Sequence, residues 1–231
     1  MKLLGVVGGI APESTIEYYR LLIAAYRERV RDGSYPPIII DSIDLKRLLD
    51  LAAADRLTEL TGYLSTAVQR LARAGAEVAL FASNTPHIVF DEVQRQSPVP
   101  LISIVEAAAD EAQRRGLRRL GLFGTRFTMQ GRFYPEVFAR RGITVRIPDP
   151  EKRAYIHDKY VGELVLGAFL PATRDRLLAI VQRLKDTDGI DGLILGGTEL
   201  PLLLRDPGDT GIPFLDTTRI HVDRALSEIL T

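Results

Sequence analysis

Short apolar runs that end in glycine or a small polar residue alternate along the chain with longer stretches whose apolar positions recur at helical period. That alternation is the signature of βαβ units and of a mostly parallel sheet. The runs Leu3–Val7, Ile38–Asp41, Val78–Ala82, Leu101–Ile102, Leu120–Phe123, Thr144–Ile147 and Gly192–Leu195 predict strands. Between them, Glu13–Val30, Asp55–Ala74, Ser103–Arg115, Gly131–Arg140, Ala154–Leu166, Thr173–Lys185 and Thr217–Ile229 predict helices. Ser103 and Thr173 stand near helix starts, and Gly75, Gly116 and Gly142 lie just beyond helix ends, where such residues satisfy free backbone groups. The expected fold class is α/β.

The pattern also repeats. Leu4-Gly5-Val6-Val7-Gly8-Gly9 resembles Leu120-Gly121-Leu122-Phe123-Gly124-Thr125, and the run from Val78 to Pro86 resembles that from Gly192 to Pro201. Gly8 precedes Ser83 by 75 positions and Gly124 precedes Gly197 by 73. The duplication predicts two similar lobes with mostly parallel sheets related by a pseudo-twofold axis. The boundaries expected are 1–102 with 210–231 for the first lobe and 103–209 for the second. Ligands of open parallel sheets bind beyond the carboxyl ends of strands, and all four repeated motifs fall there. A cleft between the lobes, with Ser83 and Gly197 facing each other across it, is therefore expected.

Composition narrows the chemistry more than the fold. Thirty basic residues balance thirty acidic ones, so no net field draws the chain to nucleic acid or to an anionic membrane. No apolar run approaches the roughly 18 to 20 residues that span a bilayer, and the expected location is cytoplasmic. The sequence has no cysteine, so no disulfide or thiolate is available, and its three histidines lack metal-ligand spacing. No metal site is expected, and the chemistry falls to oxygen, nitrogen and backbone groups.

Four strand-end motifs carry the candidate residues. Gly8-Gly9-Ile10-Ala11-Pro12-Glu13-Ser14 leads into a helix and is read either as an anion cradle or as a plain strand-to-helix turn. It lacks the glycine spacing of a dinucleotide fingerprint and the lysine of a P-loop. Ser83-Asn84-Thr85-Pro86-His87 is crowded with hydrogen-bonding groups; helix capping is the plainer reading, and His87 is either a pocket base or structural. Gly124-Thr125-Arg126-Phe127-Thr128-Met129 and Gly196-Gly197-Thr198-Glu199-Leu200-Pro201 show the same crowding. Their glycines permit close backbone approach, and their hydroxyls and amides suit a carboxylate. Arg47, just past the second strand, is either a clamp for a substrate carboxylate or part of a solvated charge pair. Of the mixed-polarity segment holding His157, Asp158, Lys159, Tyr160 and Glu163, one or two residues are expected to reach the site.

In their order and strand-end positions, these four motifs resemble those of the cofactor-independent aspartate/glutamate racemases. The resemblance spans nearly the whole chain. It implies an isomerase that acts on, or a protein that binds, a small amino acid or dicarboxylate without pyridoxal phosphate or any other cofactor, as a homodimer. In that family one cysteine stands immediately before Asn-Thr and another before Thr-Glu; here Ser83 and Gly197 hold those catalytic positions. A thiolate and a thiol exchange the α-proton on opposite faces, which neither serine nor glycine can do unaided. The resemblance assigns binding of the α-carboxylate and amino group to Asn84, Thr85, Thr125 and Thr198, with Arg47 as the partner of a distal carboxylate; Gly8 and Gly9 join them as substrate-binding candidates through the anion-cradle reading of their turn. His87, Glu199 and Glu13, or a water in the space that Gly197 leaves, are the candidate replacement bases. Two other readings stay open: a lyase or hydrolase using Ser83 as its single base or nucleophile, and a non-catalytic carboxylate-binding protein.

Overall fold

A computed structural model describes all 231 residues. The elements are β1 (Leu4–Gly8), α1 (Pro12–Arg29), β2 (Ile38–Ser42), α2 (Leu45–Ala53), α3 (Leu57–Arg73), β3 (Val78–Phe81), α4 (Phe90–Gln96) and β4 (Leu101–Ile102). They continue as α5 (Ile104–Arg114), β5 (Arg119–Gly124), α6 (Arg126–Gln130), α7 (Phe133–Ala139), β6 (Thr144–Arg146) and α8 (Pro150–Gly162). The chain ends with α9 (Pro171–Asp188), β7 (Gly192–Gly196), α10 (Leu200–Leu203), β8 (Phe214–Asp216) and α11 (Thr217–Ile229). Short 3-10 turns cover Thr85–Val89, Leu164–Leu166 and Gly208–Thr210. No helix is long and apolar enough to cross a membrane.

The strands form two four-stranded sheets in the orders β2-β1-β3-β4 and β6-β5-β7-β8, and every recorded pairing is parallel. The two orders are the same when each half is numbered from its own first strand, as the sequence repeat predicts. Parallel pairing requires a crossover after each strand, and helices supply it, so inner strands are covered on both faces. Every residue of β1, β3 and β7 is accordingly buried, which is why they read as continuous apolar runs.

The chain divides into two compact units, Met1–Ile104 with His221–Thr231, and Val105–Ile220. In the first, alternation along the strands sends Val7, Ala79 and Phe81 to one face, against Leu48 and Leu51 of α2 and Leu60, Leu64 and Val68 of α3. Leu4, Val6, Val78 and Leu80 go to the other face, against Tyr18 and Leu22 of α1 and Val222, Leu226 and Ile229 of α11. The buried polar groups of that layer are paired. His221 Nε2 donates to the Ile102 carbonyl (2.9 Å), which leaves Nδ1 to accept from the Tyr18 hydroxyl (2.8 Å). In the second unit, Leu122, Phe123, Ile194 and Leu195 are buried on the inner strands, as are Leu177, Val181 and Leu184 of α9.

Three differences from the sequence expectations have simple causes. Residues 210–220, grouped above with the first lobe, pack in the second unit because β8 pairs with β7 there. With three residues beginning just after Pro213, β8 is too short to show a period. Helix α2 was not expected beyond Asp44-Leu45-Lys46-Arg47; Asp44 caps it by accepting from the Lys46 amide (2.8 Å). Helices α4, α6 and α10 have seven, five and four residues, too few for apolar spacing to single them out from capping turns.

Candidate functional site

In the first unit, the turn after β1 is held by its own neighbours. Gly9 adopts φ +82°, and its amide donates to the Thr15 hydroxyl (2.8 Å). A Cβ on Gly9 would run into the Ile43 carbonyl, so only glycine fits. The Gly8 carbonyl accepts from Ile43 N (3.0 Å). In this arrangement the Gly9 N–H is already used within the turn. Ser14 is buried and donates to the Ala82 carbonyl (2.5 Å), tying α1 to the end of β3, whereas Glu13 is exposed in the first turn of α1.

The turn after β3 presents Ser83 half-buried and encloses Asn84, Thr85 and His87. His87 Nε2 accepts from the Ile104 amide (3.3 Å), so Nδ1 carries the proton and faces the Asn84 carbonyl (3.2 Å). Its ring stacks on Phe90 at 4.8 Å between centroids. Burial, with the nearby His221, pushes its pKa down to about 3. Both ring nitrogens are thus engaged and the ring stays neutral. His87, open from the sequence between pocket base and structural residue, is held here as a brace for this turn, with its two nitrogens on Ile104 N and the Asn84 carbonyl.

Arg47 is exposed in the first turn of α2, with its guanidinium 4.6 Å from the centre of the Tyr63 ring. Its charged head lies over an aromatic face rather than in a charge pair; Lys46 takes the acidic partner, Asp50, at 2.6 Å.

In the second unit, Thr125 caps α6 by accepting from the Thr128 amide (3.3 Å). The next amide, Arg126 N, donates to His157 Nδ1 (3.2 Å) on α8. One turn further along α8, at the three-residue spacing that places side chains on one face, stands Tyr160. Its hydroxyl donates to Glu199 Oε2, which also accepts from the Thr198 hydroxyl (2.8 Å). All three side chains are buried. Burial, reinforced by the Glu199 carboxylate, holds the Tyr160 phenol well above its usual range, so it stays protonated.

Gly197 explains how Tyr160 comes so close. A Cβ at position 197 would lie 2.5 Å from both the hydroxyl oxygen and Cε2 of Tyr160. The backbone there is not left-handed, so space rather than conformation demands glycine. The expectation that Gly197 leaves room for a water is corrected: the room is filled by the tyrosine. In the mixed-polarity segment from His157 to Glu163, His157 and Tyr160 hydrogen-bond to these strand-end motifs, while Lys159 pairs with Glu163, just past the end of α8. The sequence did not single these two out of the segment, because their partners lie 31 and 39 residues away. No group of three or more His, Asp or Glu side chains is placed to hold a metal ion.

The Asp/Glu/Hydantoin racemase family profile matches residues 7–225. Among solved structures, a putative Asp/Glu racemase from Yersinia pestis superposes with a TM-score of 0.91 at 34% identity over the full length of both chains. An aspartate racemase homologue from Pyrococcus horikoshii OT3 does so with a TM-score of 0.87 at 35% identity, again over both full lengths. A glutamate racemase of Aquifex aeolicus is 29% identical over 150 residues, 63% of this chain but only 56% of that protein's length. Profile, full-length superposition and the repeated parallel sheets agree, and the chain belongs to the Asp/Glu/Hydantoin racemase family.

Proposed function

We propose that this protein binds a small amino acid of the aspartate or glutamate type, or a simple dicarboxylate, and labilises the hydrogen on its α-carbon without pyridoxal phosphate. The observation that carries the reading is the buried cluster of Tyr160, Thr198 and Glu199 at the carboxyl end of β7, in a chain of this family. Strand ends of parallel sheets are where ligands sit, and a buried carboxylate in contact with a phenol is an acid–base pair in a place where a packing role alone favours apolar side chains. The carboxylate-binding groups in this reading are Thr125 and the backbone of Thr198, both at strand ends of the second unit. The Thr198 hydroxyl proton is committed to Glu199.

The reaction is of the racemase type but is one-sided. The chain has no cysteine, and Ser83 stands where the family resemblance places the first thiol. A serine hydroxyl without a base is too weak an acid and too poor a base for the α-proton, and His87 is engaged elsewhere. Calorimetric titration with the enantiomers of aspartate and glutamate, and with succinate and malate, tests the binding. At least one is expected to bind with an affinity in the micromolar to millimolar range usual for metabolites. No heat from any of them removes the reading.

A further inference from the structure

The geometry points to Tyr160 and Glu199 as a proton relay that serves one face of the substrate α-carbon, the Tyr160 hydroxyl standing where a side chain at position 197 would begin. This rests on the reading of the site as a carboxylate-binding pocket for an amino acid. Within that reading, position 197 is one of the two places from which a family thiol would act. Here the backbone offers no side chain, and helix α8 brings a different acid–base group to the same point in space.

The relay balances. The α-carbon–hydrogen bond breaks, and its proton joins the Tyr160 oxygen as the Tyr160 hydroxyl proton passes to Glu199 Oε2. The electron pair stays on the substrate, spread from the α-carbon into its carboxylate. Tyr160 is neutral before and after, and the negative charge moves from Glu199 to the substrate. Return of a proton runs the same steps backwards. A phenol alone would have to become a phenolate beside a carboxylate, which burial and the neighbouring charge oppose. Coupling the two transfers avoids that state.

The surroundings fit this use. The two hydrogen bonds that Glu199 Oε2 accepts come from neutral hydroxyls rather than from a cation, so the carboxylate is not neutralised by an ion pair. Thr198 fixes the orientation of the oxygen that takes the proton. A single carboxylate general base can labilise a proton next to a carbonyl when donors stabilise the anion that forms.

The test follows α-proton exchange by NMR in deuterated water, with each enantiomer of aspartate and glutamate, alongside calorimetric binding. The unmodified protein is expected to exchange one enantiomer much faster than the other. Tyr160→Phe, which keeps the ring against Gly197, and Glu199→Gln, which keeps hydrogen-bonding shape, are each expected to cut that exchange by about a hundredfold to ten-thousandfold. Binding should change by less than about threefold in both, a split that a merely structural role would not produce. If the variants bind and exchange as the unmodified protein does, the relay is overturned while the binding reading stands. Binding without any exchange by the unmodified protein also overturns the relay alone. Absence of both binding and exchange removes the functional reading and the relay together. Should Tyr160→Phe fail to fold, Glu199→Gln decides by the same split.

Discussion

At the scale of single residues, Gly197 and Tyr160 form one unit. The absence of a side chain at 197 makes space, and the phenol fills it to contact distance. Gly197→Ala forces the ring aside and is expected to destabilise the protein by about 1–3 kcal/mol, the usual cost of overpacking. Urea denaturation measures it. In a Tyr160→Ala background the same substitution should cost much less, because the two positions share one volume. Equal costs in both backgrounds would mean that Tyr160 yields freely. Placing cysteine at 197 meets the same obstacle, so a thiol cannot simply be added there. The composition already excluded thiol chemistry, and the motif spacing singled out position 197. What occupies the vacated space depends on a residue 37 positions earlier, which no local pattern links to it.

At the scale of elements, helix ends and strand ends carry the polar groups, and the buried histidines knit them together. His87 joins the turn after β3 to the start of α5, and His221 joins α11 to α1 and β4. Burial holds both neutral, with pKa values of about 3 and about 4 against 6.5 when exposed. Folded-state values below the unfolded ones mean that the unfolded chain binds more protons in this range. Their contribution is therefore whole above pH 6.5 and is lost as pH falls toward 4. Each histidine adds a slope approaching about 1.4 kcal/mol per pH unit within that window. Glu111, held down to about 2 by its hydrogen bonds to Arg114 and Arg115, adds a similar loss only below pH 4.5. The urea midpoint should thus fall steadily between pH 6.5 and 4.5, and less steeply in His221→Gln. A flat profile would contradict the burial argument. Sequence left His87 open between base and brace; only the partners of its two nitrogens decide.

At the scale of the whole molecule, the last helix is essential to the first unit. Val222, Leu226 and Ile229 of α11 cover one face of the β2-β1-β3-β4 sheet. Leu226 is fully buried, so Leu226→Ala is expected to cost about 2–5 kcal/mol, read as a lower denaturation midpoint. A cost under about 1 kcal/mol would show that the helix is not part of that core.

The sequence by itself determined the α/β class, the parallel sheets and the duplication. These follow from short-range periodicity and from inner strands buried on both faces, features that every local window repeats. Its four strand-end motifs were also enough to point to the racemase family. Tertiary structure alone decided that residues 210–220 belong with the second unit, that His87 braces a turn, that the Gly9 amide is already used, and that Tyr160 and Glu199 meet beside Gly197. Each of these rests on a contact between residues distant in sequence or on which of several possible partners a polar group takes. Such choices are made by packing and hydrogen-bond satisfaction in the folded chain, and a one-dimensional pattern does not record them.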